Sequence, residues 1–221
     1  RGGCRWAGRA GRDAARRNAV EYADLDVVVL GVGEAETTGK SFLYRTGPSF
    51  PQPLAGLDPH PPLQASDIWP SGRPAGHGLV VVGSHVGLTS RQVAVARERG
   101  DITEVELDVP AVADPARRDA HVADITARVV GALVDSDVLL FTSRTLVRDT
   151  DPAASLEISR QVSTAVIEVV RAAVAAEPAW VVAKGGITSH DVAVRGLGIR
   201  RATVLDQLLP GLVSVFKPVQ A

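Results

Sequence analysis

Short apolar runs alternate with helical patterns over residues 78–196, and this alternation constrains the fold more than any other feature of the sequence. The runs GLVVVGS, DVLLFTS and WVVA, at residues 78–84, 137–143 and 180–183, are continuously apolar, which is typical of strands buried on both faces of a sheet. Residues 102–109 predict a further strand with partial alternation. Strands separated by helices predict an α/β fold, an open α/β sandwich with a largely parallel or mixed sheet.

Helical patterns fill the intervals between these strands. Residues 88–99 and 113–134 predict the first two helices. The third helix has the clearest signal, because Asp151 can cap it and Pro152 suits its first turn. Apolar residues then recur at helical spacing: Ile158, Val162, Val166, Val169 and Ala173. We expect a shorter helix over residues 189–196 and a final strand near Val213.

The pattern is less regular before residue 78. The run DLDVVVLGV at residues 24–32 predicts a buried strand, although periodicity alone does not exclude a buried helix. Residues 41–46 look extended. Eight prolines between residues 48 and 74 make regular structure unfavourable there, because proline fixes φ and removes a backbone donor. Such a stretch predicts an interdomain linker.

Composition and charge narrow the classes of function. The net charge of -1 gives no reason to expect a nucleic-acid partner. Six arginines among residues 1–17 are interpreted as a solvated helix or tail, or as sequence foreign to the native fold. No apolar run approaches the ~18–20 residues that span a bilayer, and the N-terminal stretch lacks the apolar region of a secretory signal. The single cysteine, Cys4, excludes an internal disulfide, so a cytoplasmic location fits.

Polar and glycine residues follow three of the predicted strands, where ligands of open α/β sheets bind. Residues 184–189, KGGITS, follow a strand and open a helix. Two glycines let the backbone approach a phosphate closely, and a helix N-terminus favours an anion. A tight turn in which Thr188 or Ser189 only caps the helix explains the pattern equally well.

The other strand ends, and the residue just past the glycine turn, offer further candidates with open alternatives. Ser84 can donate a hydrogen bond to a phosphate or ribose, and His85 is a candidate base, although a strand-end histidine is more often structural. At residues 142–144, Arg144 can clamp a phosphate or form a surface ion pair. Asp191 can contribute to Mg²⁺ binding or complement the dipole in the first turn of a helix.

Two familiar nucleotide motifs do not match. The run GVGEAETTGKS resembles a P-loop, but five residues instead of four lie between Gly33 and Gly39, and strand-like residues follow. Glu36 stands where a dinucleotide fingerprint needs its third glycine, which argues against a Rossmann-type oxidoreductase. The five histidines are scattered without ligand spacing, so no metal cluster is predicted.

Residues 184–211, KGGITSHDVAVRGLGIRRATVLDQLLPG, closely resemble the C-terminal domain of the four-carbon acid sugar kinase family. The matching pieces are GGITS, Asp191-Val192-Ala193, Leu197-Gly198 and Leu209-Pro210-Gly211. Upstream, GLVVVGSHV resembles the first strand of that family's nucleotide domain, although Gly87 stands where the family tends to have proline. NAVEYADLDVVVL and GKSFLYRTGPSF look like the end of its N-terminal domain. The resemblance covers residues 18–216.

The resemblance implies a two-domain kinase whose N-terminal domain binds the acid sugar and whose C-terminal domain binds ATP. The product would be the 4-phosphate of a threonate, an erythronate or a 3-oxo-tetronate. The implied divisions are an atypical basic segment (1–17), the end of a second α/β domain that binds sugar (18–50), a Pro-rich linker (51–77) and the nucleotide-binding domain (78–221). Because the family's Asp-rich N-terminal half and a Pro-Gly-Asn-like segment are not in this sequence, and Met is absent, we expect a fragment.

Site residues follow from the matching positions. The resemblance implies that ATP contacts Ser84, Gly185, Gly186, Ile187, Thr188 and Ser189. Mg²⁺ would arrive with ATP, without a dedicated metal site. Arg45 is expected to pair with the substrate carboxylate, or with a nearby acid at the domain junction. The catalytic base is not identified.

Two hypotheses therefore remain, an ATP-dependent acid-sugar kinase and a truncated, non-catalytic nucleotide-binding module. Both predict ATP as a partner, and the kinase adds a small acid sugar. Neither predicts nucleic acid or membrane as a partner, and both are compatible with a homo-oligomer.

Overall fold

The computed structural model describes residues 7–9, 12–14, 18–58, 61–83, 87–143, 151–209 and 212–220. The chain forms two compact units. Unit 1 comprises Arg1–Ile68 with Val204–Val215, and unit 2 comprises Trp69–Thr203 with Phe216–Ala221. Unit 2 therefore holds the three predicted strand ends.

Unit 1 begins with a short antiparallel ladder of β1 (Ala7–Arg9) and β2 (Arg12–Ala14). This part of the arginine-rich segment is therefore not the solvated helix considered above. Three helices follow: α1 (Tyr22–Thr37), α2 (Pro51–Leu54) and α3 (Ala65–Ile68).

Helix α1 occupies the run that predicted a buried strand, so that prediction was wrong. A capping box starts the helix, with the Asp24 carboxylate accepting from the backbone N–H of Val20 (2.8 Å) and of Glu21 (3.2 Å). These two bonds lower the pKa of Asp24. None of the residues of α1, all of which the structure describes, is buried. The periodicity of this run was compatible with either a strand or a helix. The run forms a helix with a capped N-terminus, and its valines are not buried.

The rest of unit 1 is largely irregular. Residues 40–47 form neither helix nor strand. The Pro-rich stretch contains α2 and α3 but otherwise lacks regular structure in its described part. Pro51 is the first residue of α2, where the missing N–H of proline is tolerated. Phe50 is buried, with its ring 5.9 Å from that of Tyr44.

Unit 2 is built on a parallel sheet of four strands within the described residues. These are β3 (Leu79–Val82), β4 (Ile102–Leu107), β5 (Asp137–Thr142) and β6 (Val181–Lys184). Their spatial order is β4-β5-β3-β6, and each neighbouring pair is parallel. The α/β fold with a largely parallel sheet is therefore confirmed, and β3 lies between β5 and β6.

Helices cover both faces of this sheet, which explains the continuously apolar strands. They are α4 (Gly87–Arg99), α5 (Val109–Ala113), α6 (Arg118–Ala132) and α7 (Pro152–Val174). Leu79, Val138 and Leu140 belong to the larger core, which includes residues of α5, α6 and α7. Leu139 and Phe141 point to the other face and pack in a smaller core with Val93 of α4. Alternate residues of β3 and β5 thus serve opposite cores, whereas Val182 of β6 is 44% exposed.

Helix α7 forms as the sequence predicts. The Asp151 carboxylate accepts from the N–H of Ala153 at 3.0 Å, and Pro152 is the first helical residue. The Nη2 of Arg118 on α6 donates to the Oε1 of Glu168 at 2.6 Å and ties α6 to α7. This pairing raises the pKa of Arg118 above its already high ordinary value. Helix α7 is thereby anchored at its N-terminal cap and at Glu168.

The last elements differ from expectation in their bounds. Helix α8 (Gly186–Asp191) begins three residues before the predicted start and continues into a π-helical turn at Val192–Gly196. Strands β7 (Arg201–Leu209) and β8 (Leu212–Gln220) form a separate two-stranded sheet, and β8 includes the strand predicted near Val213. Within the described residues, no helix is both long enough and apolar enough to cross a bilayer.

We predict that Gly196→Ala destabilises unit 2. A Cβ at this position would lie 2.7 Å from Cγ1 of the buried Val170. Overpacking of this kind costs about 1–3 kcal/mol. The measurement is urea unfolding followed by circular dichroism.

The matched control is Gly131→Ala on α6, where an added Cβ meets no described atom within 4 Å. This control should gain about 0.5–1 kcal/mol, because alanine replaces glycine within a helix. Equal stabilities of the two variants would contradict the packing described here.

Candidate functional site

The carboxyl ends of β5, β3 and β6 lie side by side, because these strands are neighbours and parallel. Val82 is in register with Phe141 on one side and with Lys184 on the other. The segments that begin at Gly83 and Gly185 therefore emerge at the same edge as Thr142. The sequence had selected all three strand ends, and the sheet order brings them together.

Gly83 and Thr188 approach each other closely at this edge. The Oγ1 of Thr188 occupies the place that a Cβ at position 83 would need. The N–H of Gly83 also donates to the carbonyl of Lys184 at 3.4 Å. Glycine is thus required at the end of β3 for the first turn of α8 to pack against it.

The glycine turn after β6 sets the start of α8. Gly185 is the residue before the helix and has φ 117°, a left-handed conformation that other residues rarely adopt. The N–H of Ser189 donates to the Gly185 carbonyl at 2.7 Å, and the Ser189 hydroxyl donates to the Ala183 carbonyl at 2.9 Å. The alternative in which Thr188 or Ser189 caps the helix is therefore wrong, since both lie inside its first turns.

A cleft of about 270 Å³ opens at these strand ends. The side chains that line it form an apolar set and a polar set. The apolar side chains come mainly from α7: Ile158, Val162, Val166 and Ile167, joined by Val109 and Ile187. The polar side chains are those of Thr142, Ser159, Ser163, Thr188 and Asp191, with Gly83 completing the lining. Among these described lining residues, Asp191 is the charged one.

Thr142 carries an unsatisfied hydroxyl. The residue is 1% exposed, and its Oγ1 has no hydrogen-bond partner in the described part of the chain. A buried polar group without a partner costs about 1–3 kcal/mol. The Thr142 hydroxyl therefore has donor and acceptor capacity that no group in the described part of the chain uses.

Asp191 is held in place by residues of two elements. Ser163 of α7 donates to the Asp191 carboxylate at 2.5 Å, and the guanidinium of Arg195 lies 3.8 Å from it. The Asp191 side chain is 16% exposed. Asp191 is the last residue of α8, so the interpretation as a first-turn partner of the helix dipole was wrong. No local sequence pattern indicates its pairing with Ser163, which is 28 residues away.

Two other hydroxyls near the cleft already have structural roles. Ser143 accepts from the N–H of Val109 at 3.0 Å and fixes the start of α5. Ser159 donates to the Ser155 carbonyl at 3.0 Å within α7. The Thr142 hydroxyl differs from these two because it has no hydrogen-bond partner among the described residues.

The remaining candidates lie either outside the described residues or in unit 1. Ser84, His85 and Arg144 lie outside the described residues, so their predicted roles stay predictions. Arg45 is exposed and belongs to unit 1. In the described ranges, no three His, Cys, Asp or Glu side chains come together in a way that could hold a metal ion.

We predict that Gly83→Ala destabilises the protein by about 1–3 kcal/mol, because the new methyl group overlaps the Thr188 hydroxyl. In a Thr188→Ala background the same change should cost much less. A double-mutant cycle from urea unfolding measures this coupling. Strictly additive effects of the two substitutions would contradict the contact.

A family described as a nucleotide-binding C-terminal domain matches residues 79–220. The match begins at the first residue of β3 and includes the whole parallel sheet and the cleft. The comparison with curated proteins gave no match.

Two solved structures resemble the chain in fold. A "putative tRNA synthase" from Salmonella typhimurium LT2 is 16% identical with a TM-score of 0.59, over 92% of this chain and 46% of that one. A domain of unknown function (DUF1537) from Bordetella bronchiseptica is 20% identical with a TM-score of 0.52, over 92% of this chain and 45% of that one. The latter was solved with bound citrate as a domain-swapped dimer. The chain thus spans slightly less than half the length of either protein.

The family match covers well over half of the chain and coincides with the elements that form the cleft. The chain therefore belongs to the family of nucleotide-binding C-terminal domains.

Proposed function

We propose that the chain is the ATP-binding part of a kinase that phosphorylates the C4 hydroxyl of a four-carbon acid sugar, namely a threonate, an erythronate or a 3-oxo-tetronate. The family match supports a nucleotide as ligand. The identity of ATP, the acid sugar and the transfer reaction are parts of the proposal. The observation that carries it is the Gly185–Gly186 turn, which follows β6 and starts α8 directly beside Gly83.

The glycine turn fits the phosphates of ATP. The N–H groups of Gly186, Ile187 and Thr188 lie in the first turn of α8 and have no acceptor one turn earlier in the helix. Such N–H groups hold phosphate oxygens well. A Cβ at Gly186 would meet no described atom within 4 Å, so the space beside this backbone is open to a ligand.

The polar groups of the cleft agree with a nucleotide as well. The unpaired hydroxyl of Thr142 can donate to or accept from a bound molecule. Ser84 is proposed to contact ATP from the end of β3, next to Gly83. Ser189 is the weakest of the predicted contacts, because its hydroxyl donates to Ala183.

The transfer step depends on positioning and on stabilisation of charge. In this proposal, the backbone of the glycine turn orients the phosphates, and Arg45 binds the carboxylate of the acid sugar. Bound Mg²⁺ would neutralise part of the charge on the phosphates. The guanidinium of Arg195 lies 3.8 Å from the Asp191 carboxylate and repels a cation there, so Asp191 is poorly suited to hold the metal.

The proposal also includes the setting of the reaction. A kinase of small acid sugars needs neither nucleic acid nor membrane, and we place it in the cytoplasm. A homo-oligomer is part of the proposal, and the domain-swapped dimer of the Bordetella bronchiseptica protein supports examining it.

We predict that the chain binds ATP and that Gly186→Val weakens this binding at least tenfold. The valine side chain fills the space beside the turn, while glycine and valine differ by only a few tenths of a kcal/mol in helix propensity. Isothermal titration calorimetry with Mg-ATP measures the affinity, and NAD serves as a ligand control.

The matched control is Gly131→Val, also helical and also open, but outside the cleft. It should bind ATP as the unmodified chain does. Equal weakening by both substitutions, or tighter binding of NAD than of ATP, would refute the assignment of the turn.

Turnover is tested with Mg-ATP and each of the three acid sugars, followed by ³¹P NMR. The kinase proposal predicts a new phosphate monoester signal with at least one of them. ATP binding without any ester would instead support the non-catalytic module.

A further inference from the structure

We infer that the cleft beside α7 takes the nucleoside part of the nucleotide, with Asp191 accepting hydrogen bonds from the ribose hydroxyls and Thr142 bonded to the same nucleoside. The inference rests on the proposed function, since it divides one ATP molecule between two neighbouring places. The phosphates would then lie at the glycine turn, and the cleft would select the sugar of the nucleotide.

The charge of the cleft argues against a phosphate there. Asp191 is the charged side chain of the described lining, and a carboxylate repels a phosphate at short range. A carboxylate is instead an acceptor of up to four hydrogen bonds, of which Ser163 supplies one. Ribose offers two neighbouring hydroxyls to such an acceptor.

The apolar part of the lining suits the base. Ile158, Val162 and Val166 present aliphatic groups of α7, and Ile187 adds another from α8. Ile187 is 79% exposed, so a base bound in the cleft would cover apolar surface there. Ligand pockets typically combine such apolar walls with a few placed polar groups.

The size of the cleft agrees with one part of a nucleotide. Its volume of about 270 Å³ lies just under the ~300–1,000 Å³ typical of pockets that enclose a whole ligand. The unpaired hydroxyl of Thr142 belongs to this same cleft. The unpaired Thr142 hydroxyl therefore supports the cleft, in addition to the glycine turn, as part of the binding site.

The experiment compares three probes by calorimetry: Mg-ATP, Mg-2′,3′-dideoxy-ATP and Mg-tripolyphosphate. The unmodified chain should bind dideoxy-ATP about tenfold more weakly than ATP, because hydrogen bonds to a carboxylate are lost. The Asp191→Asn variant should bind ATP more weakly by a similar factor and bind dideoxy-ATP with nearly unchanged affinity. Its affinity for tripolyphosphate should be unchanged or higher. Asparagine can still accept from Ser163.

Thr142→Val removes the hydroxyl and keeps the shape of the side chain. This variant should bind ATP about fivefold more weakly, bind tripolyphosphate unchanged, and melt at the same or a higher temperature without ligand, because an unpaired buried group is gone. The control is Thr103→Val at the opposite end of the β4–β5 pair, where the Thr103 hydroxyl lies 2.7 Å from that of Ser136. It should leave all three affinities unchanged.

The outcomes separate the two claims. Binding of neither ATP nor tripolyphosphate to the unmodified chain overturns the proposed function and this inference together. Binding of ATP with no discrimination against dideoxy-ATP, or an Asp191→Asn variant that loses tripolyphosphate as much as ATP, overturns the nucleoside assignment and leaves the nucleotide function standing.

Discussion

Parallel pairing of β3 with β5 on one side and β6 on the other is the constraint on which the site depends. Because Val82 is in register with Phe141 and with Lys184, the three strands end at the same edge of the sheet. Gly83 then lets the first turn of α8 pack against β3, because a side chain there would overlap Thr188. The cleft and the glycine turn are neighbours as a consequence of this pairing, which is stabilised by the apolar cores on both faces.

The fold separates two kinds of binding surface. The turn at Gly185 and Gly186 offers backbone N–H groups, which suit a phosphate. The cleft offers aliphatic side chains of α7, a carboxylate and the hydroxyl of Thr142, which suit an uncharged group with hydroxyls. Helix α7 therefore contributes to both the core and the site. Val166 and Ile167 belong to the larger core and also line the cleft.

The sequence predicted the parts of the structure in which local pattern and burial agree. Strands β3 and β5 were recognised because both faces of each are buried, and α7 because Asp151 and Pro152 mark its start. Helix α1 was missed because a run of valines is compatible with either a strand or a helix. None of its described residues is buried, so the expectation of a buried element did not apply to it. The strand ends of the site were predictable, since their position follows from the fold class. The Ser163–Asp191 bond and the unpaired Thr142 were not, because both depend on how α7 packs over the sheet.

We propose above all that a nucleotide binds at the carboxyl ends of β5, β3 and β6. A crystal structure of the chain with a non-hydrolysable ATP analogue tests it most directly. We expect the phosphates within hydrogen-bonding distance of the N–H groups of residues 186–188, and the nucleoside against α7 near Thr142 and Asp191. An analogue bound at the opposite edge of the sheet, or in unit 1, would contradict the claim.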